Sequence, residues 1–224
     1  MRAPIARAGV AARTCSPRKC SWSSTSCPHS FSRSDSSSSR GSVGDGSDLS
    51  LEVEQLTFHF LPGDVFLAKK TPALWLQPDL RIDSPHVHCF VEAKRIKRGA
   101  FQPEQLAREY LAVVQEAELC NQKPLLLLVL PASPPVRVSK HRPLDISKAI
   151  KTALASVLSR CEHEFSSVET LEKGIDSVVS YITWPAVIEA ISAARDECSL
   201  GNGSVDASVK RIANAALSAI DWHS

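Results

Sequence analysis

One α/β domain behind an irregular N-terminal segment is the fold class the sequence predicts, on three observations. The first forty-odd residues are dense in Ser, Arg and Cys and show no apolar periodicity. From about Ser50 to residue 100, short segments alternate at the period of a strand. After residue 100, segments with apolar residues at helical spacing dominate, interrupted by one run apolar on both faces.

Length and charge narrow the class further. A chain of 224 residues has room for one domain with a sizeable core and an extension. A formal net charge of +2 gives no global case for nucleic acid, so any such case rests on local charge placement. The longest apolar run, Leu125 to Leu130, is too short to span a bilayer, which argues against a membrane protein. Seven cysteines, an odd number, do not form a disulfide framework. Cys89, Cys120, Cys161 and Cys198 stand in apolar segments and are expected to be buried, reduced thiols, in a cytoplasmic setting.

Taken in order, residues 1–48 form the Ser/Arg-rich tail, too poor in apolar surface to offset chain entropy. Residues 1–45 suit a transit peptide, which would make the location an organelle, and equally suit a mis-assigned start. Cys15, Cys20, Cys27 and His29 match no paired-cysteine zinc spacing. The domain proper then runs over 49–224. "VEQLTFHFL" is read as a short helix or strand, "DVFLAKK" and "LWLQPDLRI" as strands, and "DSPH" as a turn. In the second strand Asp79, Arg81 and Asp83 share one face. "VHCFVEAKRI" is a further strand, with Cys89, Val91 and Ala93 opposite Phe90, Glu92 and Lys94.

"QPEQLAREYLAVVQEAEL" is predicted to be a helix, opened by Pro103 and carrying Leu106, Tyr110, Val113, Val114 and Ala117 at helical spacing. "KPLLLLVLP" is predicted to be a strand buried on both faces. Asp145 is the expected N-cap of a helix bearing Ile146, Ile150, Leu154 and Val157. From about residue 160 onward all is expected to be helical. "SVETLEKGIDSVVSYI" opens on a capping box from Ser166 to Glu169, Pro185 starts "WPAVIEAISAARDE", and "VDASVKRIANAALSAI" follows the break at "GNGS".

Strand alternation places Glu92 and Lys94 on one face, roughly 6.6–6.8 Å apart along the strand. Asp79, 13 positions before Glu92, can lie alongside across a hairpin. Two converging carboxylates suit a hard divalent cation, which lowers the pKa of a bound water and neutralises charge on a phosphate. A lysine beside that water can orient it or stabilise developing negative charge. The Ala93 carbonyl is a natural extra ligand. Basic residues follow at Lys94, Arg95, Lys97 and Arg98, and again at Arg137, Lys140, His141 and Arg142, where a phosphate backbone could pass.

On "QPDLRI…CFVEAKRI", the helix bearing "EQLAREYL" and the buried strand after it, the chain resembles the PD-(D/E)xK phosphodiesterase superfamily over roughly residues 60 to 131. The resemblance implies a restriction-endonuclease-like core, a mixed central sheet flanked by helices. By motif it assigns Asp79 and Glu92 to the metal and Lys94 to catalysis, with Mg²⁺ or Mn²⁺ as cofactor and nucleic acid, DNA first, as partner. It allows a homodimer. It also suggests Glu52 or Glu54 as a further acid and brings in Gln105, although Gln105 and Tyr110 stand five apart where relatives place Gln and Tyr four apart.

Plainer readings stand beside these. Asp83 competes with Asp79 as ligand but suits a turn former. His86 and His88 are expected to be exposed imidazoles at the hairpin tip, Tyr110 a core residue, and Trp75 and Trp184 packing residues. Two further functions stay open: a nuclease-fold protein that binds nucleic acid without cutting, and a helical protein-interaction domain in which the acidic pair is incidental.

Overall fold

The computed structural model describes residues 52–68, 73–95 and 100–222. The tail with its Cys/His cluster, Lys97 and Arg98 lie outside the described residues. A 3₁₀ turn at Val53–Gln55 leads into strand β1 (Thr57–Phe60), followed by β2 (Val65–Ala68), β3 (Leu74–Leu76), β4 (Leu80–Asp83) and β5 (Val87–Ala93). Then come helix α1 (Pro103–Cys120), β6 (Lys123–Leu130), α2 (Ile146–Leu158), α3 (Val168–Val178), β7 (Val179–Thr183), α4 (Trp184–Glu197) and α5 (Gly203–Trp222).

The main sheet is mixed and ordered β1-β4-β5-β6-β7. β4 runs antiparallel to both β1 and β5, and β6 runs parallel to β5 and β7. β2 and β3 pair as a separate antiparallel ribbon. An α/β domain with a mixed sheet and a largely helical C-terminal half is therefore what the chain forms.

Register decides which side chains share a face. Phe90 pairs with Leu126 and Glu92 with Leu128, and this face packs under α1, with Leu106, Tyr110, Leu111 and Val113 in the same core. Cys89, Val91, Leu125 and Val129 point the other way, into a smaller core completed by Ile182, Trp184 and Val187. Burial pushes the Cys89 thiol up to about 12. α4 and α5 pack on each other and bury no residue.

Four expected elements come out differently. "LWLQPDLRI" is two strands in different sheets, because Pro78 supplies no N–H to a ladder and the chain bends at Gln77–Asp79. "SVETLEKGIDSVVSYI" is half helix and half strand. The segment Val179–Thr183, rich in β-branched and aromatic residues, takes the sheet edge as β7, where propensity and pairing agree. The cap of α3 is Ser167, whose hydroxyl accepts from Thr170 N–H at 3.3 Å, one residue later than expected. Asp145 occupies the N-cap of α2, but its carboxylate pairs with Lys148 at 3.1 Å and makes no cap bond.

Cys89 is the one fully buried thiol among the described cysteines; Cys161 and Cys198 are partly buried and Cys120 lies on the surface. Tyr110 is core, as expected, and its hydroxyl donates to the Leu171 carbonyl at 2.7 Å, pinning α3 to α1. No helix among the described residues is long and apolar enough to cross a membrane.

Candidate functional site

The C-terminal end of β5 carries Glu92 and Lys94 on the α1 face, as strand phase requires. Glu92 is buried, and its Oε1 accepts from Lys94 Nζ at 2.7 Å and from Gln105 Nε2 at 2.7 Å. Gln105 Oε1 accepts from Lys94 Nζ in turn, at 3.2 Å. One glutamine on the first turns of α1 thus grips both members of the strand's acid–base pair. The Lys94 ammonium also stands 5.0 Å from the centre of the Phe101 ring, a cation–π contact that holds it in a sheltered spot.

The backbone of Lys94 is held on both sides. Its N–H donates to the Val129 carbonyl at 2.9 Å, and its carbonyl accepts from the Trp184 indole at 2.7 Å. Trp184, expected to pack, does so while also making this bond. Asp79 lies at the bend before β4, with its carboxylate Oδ2 accepting from Ala93 N–H at 2.9 Å. That bond sets Asp79 beside the Glu92–Lys94 segment. The structure shows an Ala93 contact through its N–H, where the sequence offered its carbonyl as a ligand.

Glu109 completes the group, and nothing in the sequence pattern alone had singled it out. It lies one helical turn after Gln105, is 3% exposed, and its Oε2 has no hydrogen-bond partner. Burial, and then the charge of Glu92, hold its carboxyl well above the usual range, while Lys94 and Gln105 oppose the shift and Asp79 adds to it. A signal was present: position 109 falls inside the apolar stripe of Leu106, Tyr110 and Val113. A glutamate on a buried stripe is rare enough to mark a candidate site residue.

The arrangement brings Glu92, paired with the Lys94 ammonium, close to the buried Glu109 and to Asp79, which is bonded to the neighbouring Ala93 N–H. Their donors are all oxygens, the chemistry of a hard cation, and the unpartnered Glu109 oxygen is the atom a cation would satisfy. Among the described residues, however, no group of three or more His, Cys, Asp or Glu side chains is spaced as a ready-made metal cage.

Other expected participants fall elsewhere. Asp83 stands apart from Asp79, in the last position of its strand rather than in the turn. It lies at the far end of β4, within 3.2 Å of His59 Nε2, 2.9 Å of Arg81 Nε and 3.1 Å of His88 Nδ1. Burial alone would raise its carboxyl, but His88, Arg81 and His59 outweigh that and hold it below the usual value. His88 is buried, not exposed, with its ring edge-on to Phe90; only His86 lies at the surface. Glu52, one of the two acids the resemblance suggests, pairs with His86 near the 84–87 turn, at the other end of β5 from Glu92. Trp75 is 47% exposed and is not a packing residue.

Arg95, Arg137, Lys140 and Arg142 all lie exposed at the surface. Phe101 joins the second basic loop to the site: its N–H donates to the Arg137 carbonyl and its carbonyl accepts from Ser139 N–H, both at 2.8 Å. The ring under Lys94 and the loop bearing Arg137 are therefore one backbone unit. No family model matches the chain, and neither a curated protein nor a solved structure matches it.

Proposed function

We propose that the protein is a metal-dependent phosphodiesterase of the restriction-endonuclease-like class. More narrowly, the reading is a DNA endonuclease that cleaves by attack of water on the phosphodiester. The observation that carries it is the excess of acid at the end of β5: Asp79, Glu92 and Glu109 around the single ammonium of Lys94. A structural ion pair needs no such surplus, whereas a site that receives a cation and a polyanion does.

In this reading Asp79 and Glu92 would hold a divalent cation, Mg²⁺ or Mn²⁺, with the Ala93 carbonyl or the unpartnered oxygen of Glu109 as a further donor. The bound ion supplies a water of lowered pKa and a counter-charge for the scissile phosphate. Lys94 orients that water and stabilises negative charge as it develops. Gln105 keeps Lys94 and Glu92 in register, and Phe101 shelters the ammonium. Arg95, Arg137, Lys140 and Arg142 contact the phosphate backbone on either side.

The test is plasmid nicking with Mg²⁺ or Mn²⁺ by the parent, Lys94→Ala and Asp79→Ala. The expected result is nicking by the parent and a loss of at least about a hundredfold in each variant. A parent no more active than its variants would end the enzyme reading. Retention on DNA that weakens steeply with salt would then favour binding without cutting. Absence of retention would favour an interaction domain built on α4 and α5, whose Ile188, Val205, Ile212 and Trp222 face solvent.

A further inference from the structure

The β2–β3 ribbon lies outside the main sheet and leads through Gln77 and Pro78 directly to Asp79. Its two faces differ sharply. Leu67, Ala68, Leu74 and Leu76 are buried against α1 and its core, whereas Phe66 and Trp75 are 42% and 47% exposed. Phe66 and Trp75 are direct cross-strand partners, so their rings share the outer face of the ribbon.

The ribbon is also clamped. Arg108 Nη1 donates to the Trp75 carbonyl and Gln115 Nε2 to the Phe66 carbonyl, each at 3.2 Å. Arg108 and Gln115 stand seven positions apart, two turns on one side of α1, so a single helix fixes the backbone beneath both rings. The same helix carries Gln105 and Glu109 to the acidic site. Trp75 is four residues from Asp79, at most about 13–14 Å of extended chain.

We infer that Phe66 and Trp75 form a stacking platform for unpaired bases, which makes single-stranded DNA the substrate the site receives. The inference rests on the nuclease reading and extends it to a substrate class. Only unpaired bases offer their faces to two outward rings; duplex bases are stacked on each other and present edges. The surroundings suit a polyanion's backbone: the Arg108 guanidinium lies at Trp75, and the Arg137–Arg142 loop is bonded to the backbone of Phe101, whose ring meets Lys94. The cavity of about 350 Å³ beside Phe66 is of mixed sign, with Asp64 and Glu116 alongside Arg81, so it does not itself draw in phosphate. The rings take the base while the arginines take the backbone.

The experiment uses the full chain without divalent metal, so that cleavage cannot interfere. Binding of an oligothymidylate and of a blunt duplex is measured by anisotropy for the parent, Phe66→Leu/Trp75→Leu and Trp75→Phe. The expected result is preference for the single strand, weakened about tenfold to a hundredfold in the double variant. Trp75→Phe, which keeps a stacking ring, should restore most of it, and duplex binding should change little. Equal single-strand affinity in parent and double variant overturns the platform, as does a preference for duplex. Metal-dependent nicking of duplex with no effect of either ring overturns the platform alone and leaves the nuclease reading standing. Failure to bind either DNA overturns the platform, and the nuclease reading falls with it only where nicking with Mg²⁺ or Mn²⁺ fails as well. Thermal melting of each variant confirms folding; if the double variant melts early, Trp75→Leu alone takes its place.

Discussion

β5 carries two polar clusters on one face, four residues apart, and they are built on opposite accounts of charge. At its N-terminal end Asp83 is a single acid approached by His59, Arg81 and His88, at an edge that water reaches. At its C-terminal end Glu92 holds the Lys94 ammonium while Asp79 and Glu109 lie near without pairing to it, and Glu92, Lys94 and Glu109 are largely withdrawn from solvent. The first cluster turns its bases toward its one acid, and what it leaves without a hydrogen bond is nitrogen: Arg81 Nε and both ring nitrogens of His88. The second leaves over a buried carboxyl oxygen, an arrangement that lowers stability and is kept only where something else uses it. The comparison teaches where to look for function: composition is similar at the two ends, and the difference lies in which charge is in surplus.

Substitutions can break or sharpen that contrast. The largest effect is expected at Lys94→Met, which strips the acidic end of its only cation; removing one partner of a buried pair costs about 3–5 kcal/mol. Chemical denaturation should show that loss, and a loss under about 1 kcal/mol would mean the pair is effectively solvated. Glu109→Gln should act in the opposite direction, stabilising the metal-free protein by about 1–3 kcal/mol at neutral pH while impairing cleavage. Its sign with pH is fixed by burial. The folded state holds the Glu109 proton more tightly than the unfolded chain does, so the parent loses stability as pH rises from the ordinary carboxylate value through the raised one. The gain from Gln should be absent in acid and grow toward neutrality; melting curves showing a constant difference would refute this.

At the other end Asp83→Asn should lower the melting temperature only modestly, because the cluster is part-exposed. Here the folded value is depressed, so the contribution is complete above the ordinary carboxylate value and disappears as pH falls through the lowered one. Parent and variant should therefore converge in acid. The smallest effect concerns Cys89, on the opposite face of β5. With its thiol pushed up to about 12, it should resist a thiol reagent at pH 8 that labels surface Cys120, as peptide mapping by mass spectrometry would show.

Much of this geometry is legible in the sequence, for reasons that differ by residue. The facing of Glu92 and Lys94 follows from period two alone, and α1 from its apolar spacing and Pro103. Gln105 enters through resemblance, and the structure places it against both. Glu109 escapes because its meaning is tertiary: a glutamate on a helix is ordinary until that stripe is seen to lie on the sheet. β7 escapes because "VVSYIT" is continuous in sequence with a good helix, and only the vacant edge of β6 decides its conformation. Trp75 misleads because an aromatic in a strand is usually buried, and nothing local reveals which face of a two-stranded ribbon is left open. His88 misleads in the converse way, since proximity to a turn does not prevent burial within the sheet's covered face.

The Trp184 indole bond to the Lys94 carbonyl joins positions 90 residues apart. During synthesis the acids, the lysine and their glutamine are all made, and can be sheltered by α1 and β6, well before residue 184 exists. A chain ending ahead of that tryptophan would hold the whole charged cluster yet lack the one donor that fixes the lysine's carbonyl. In such a chain the proposed chemistry would have its reagents without their alignment until the C-terminal half arrived.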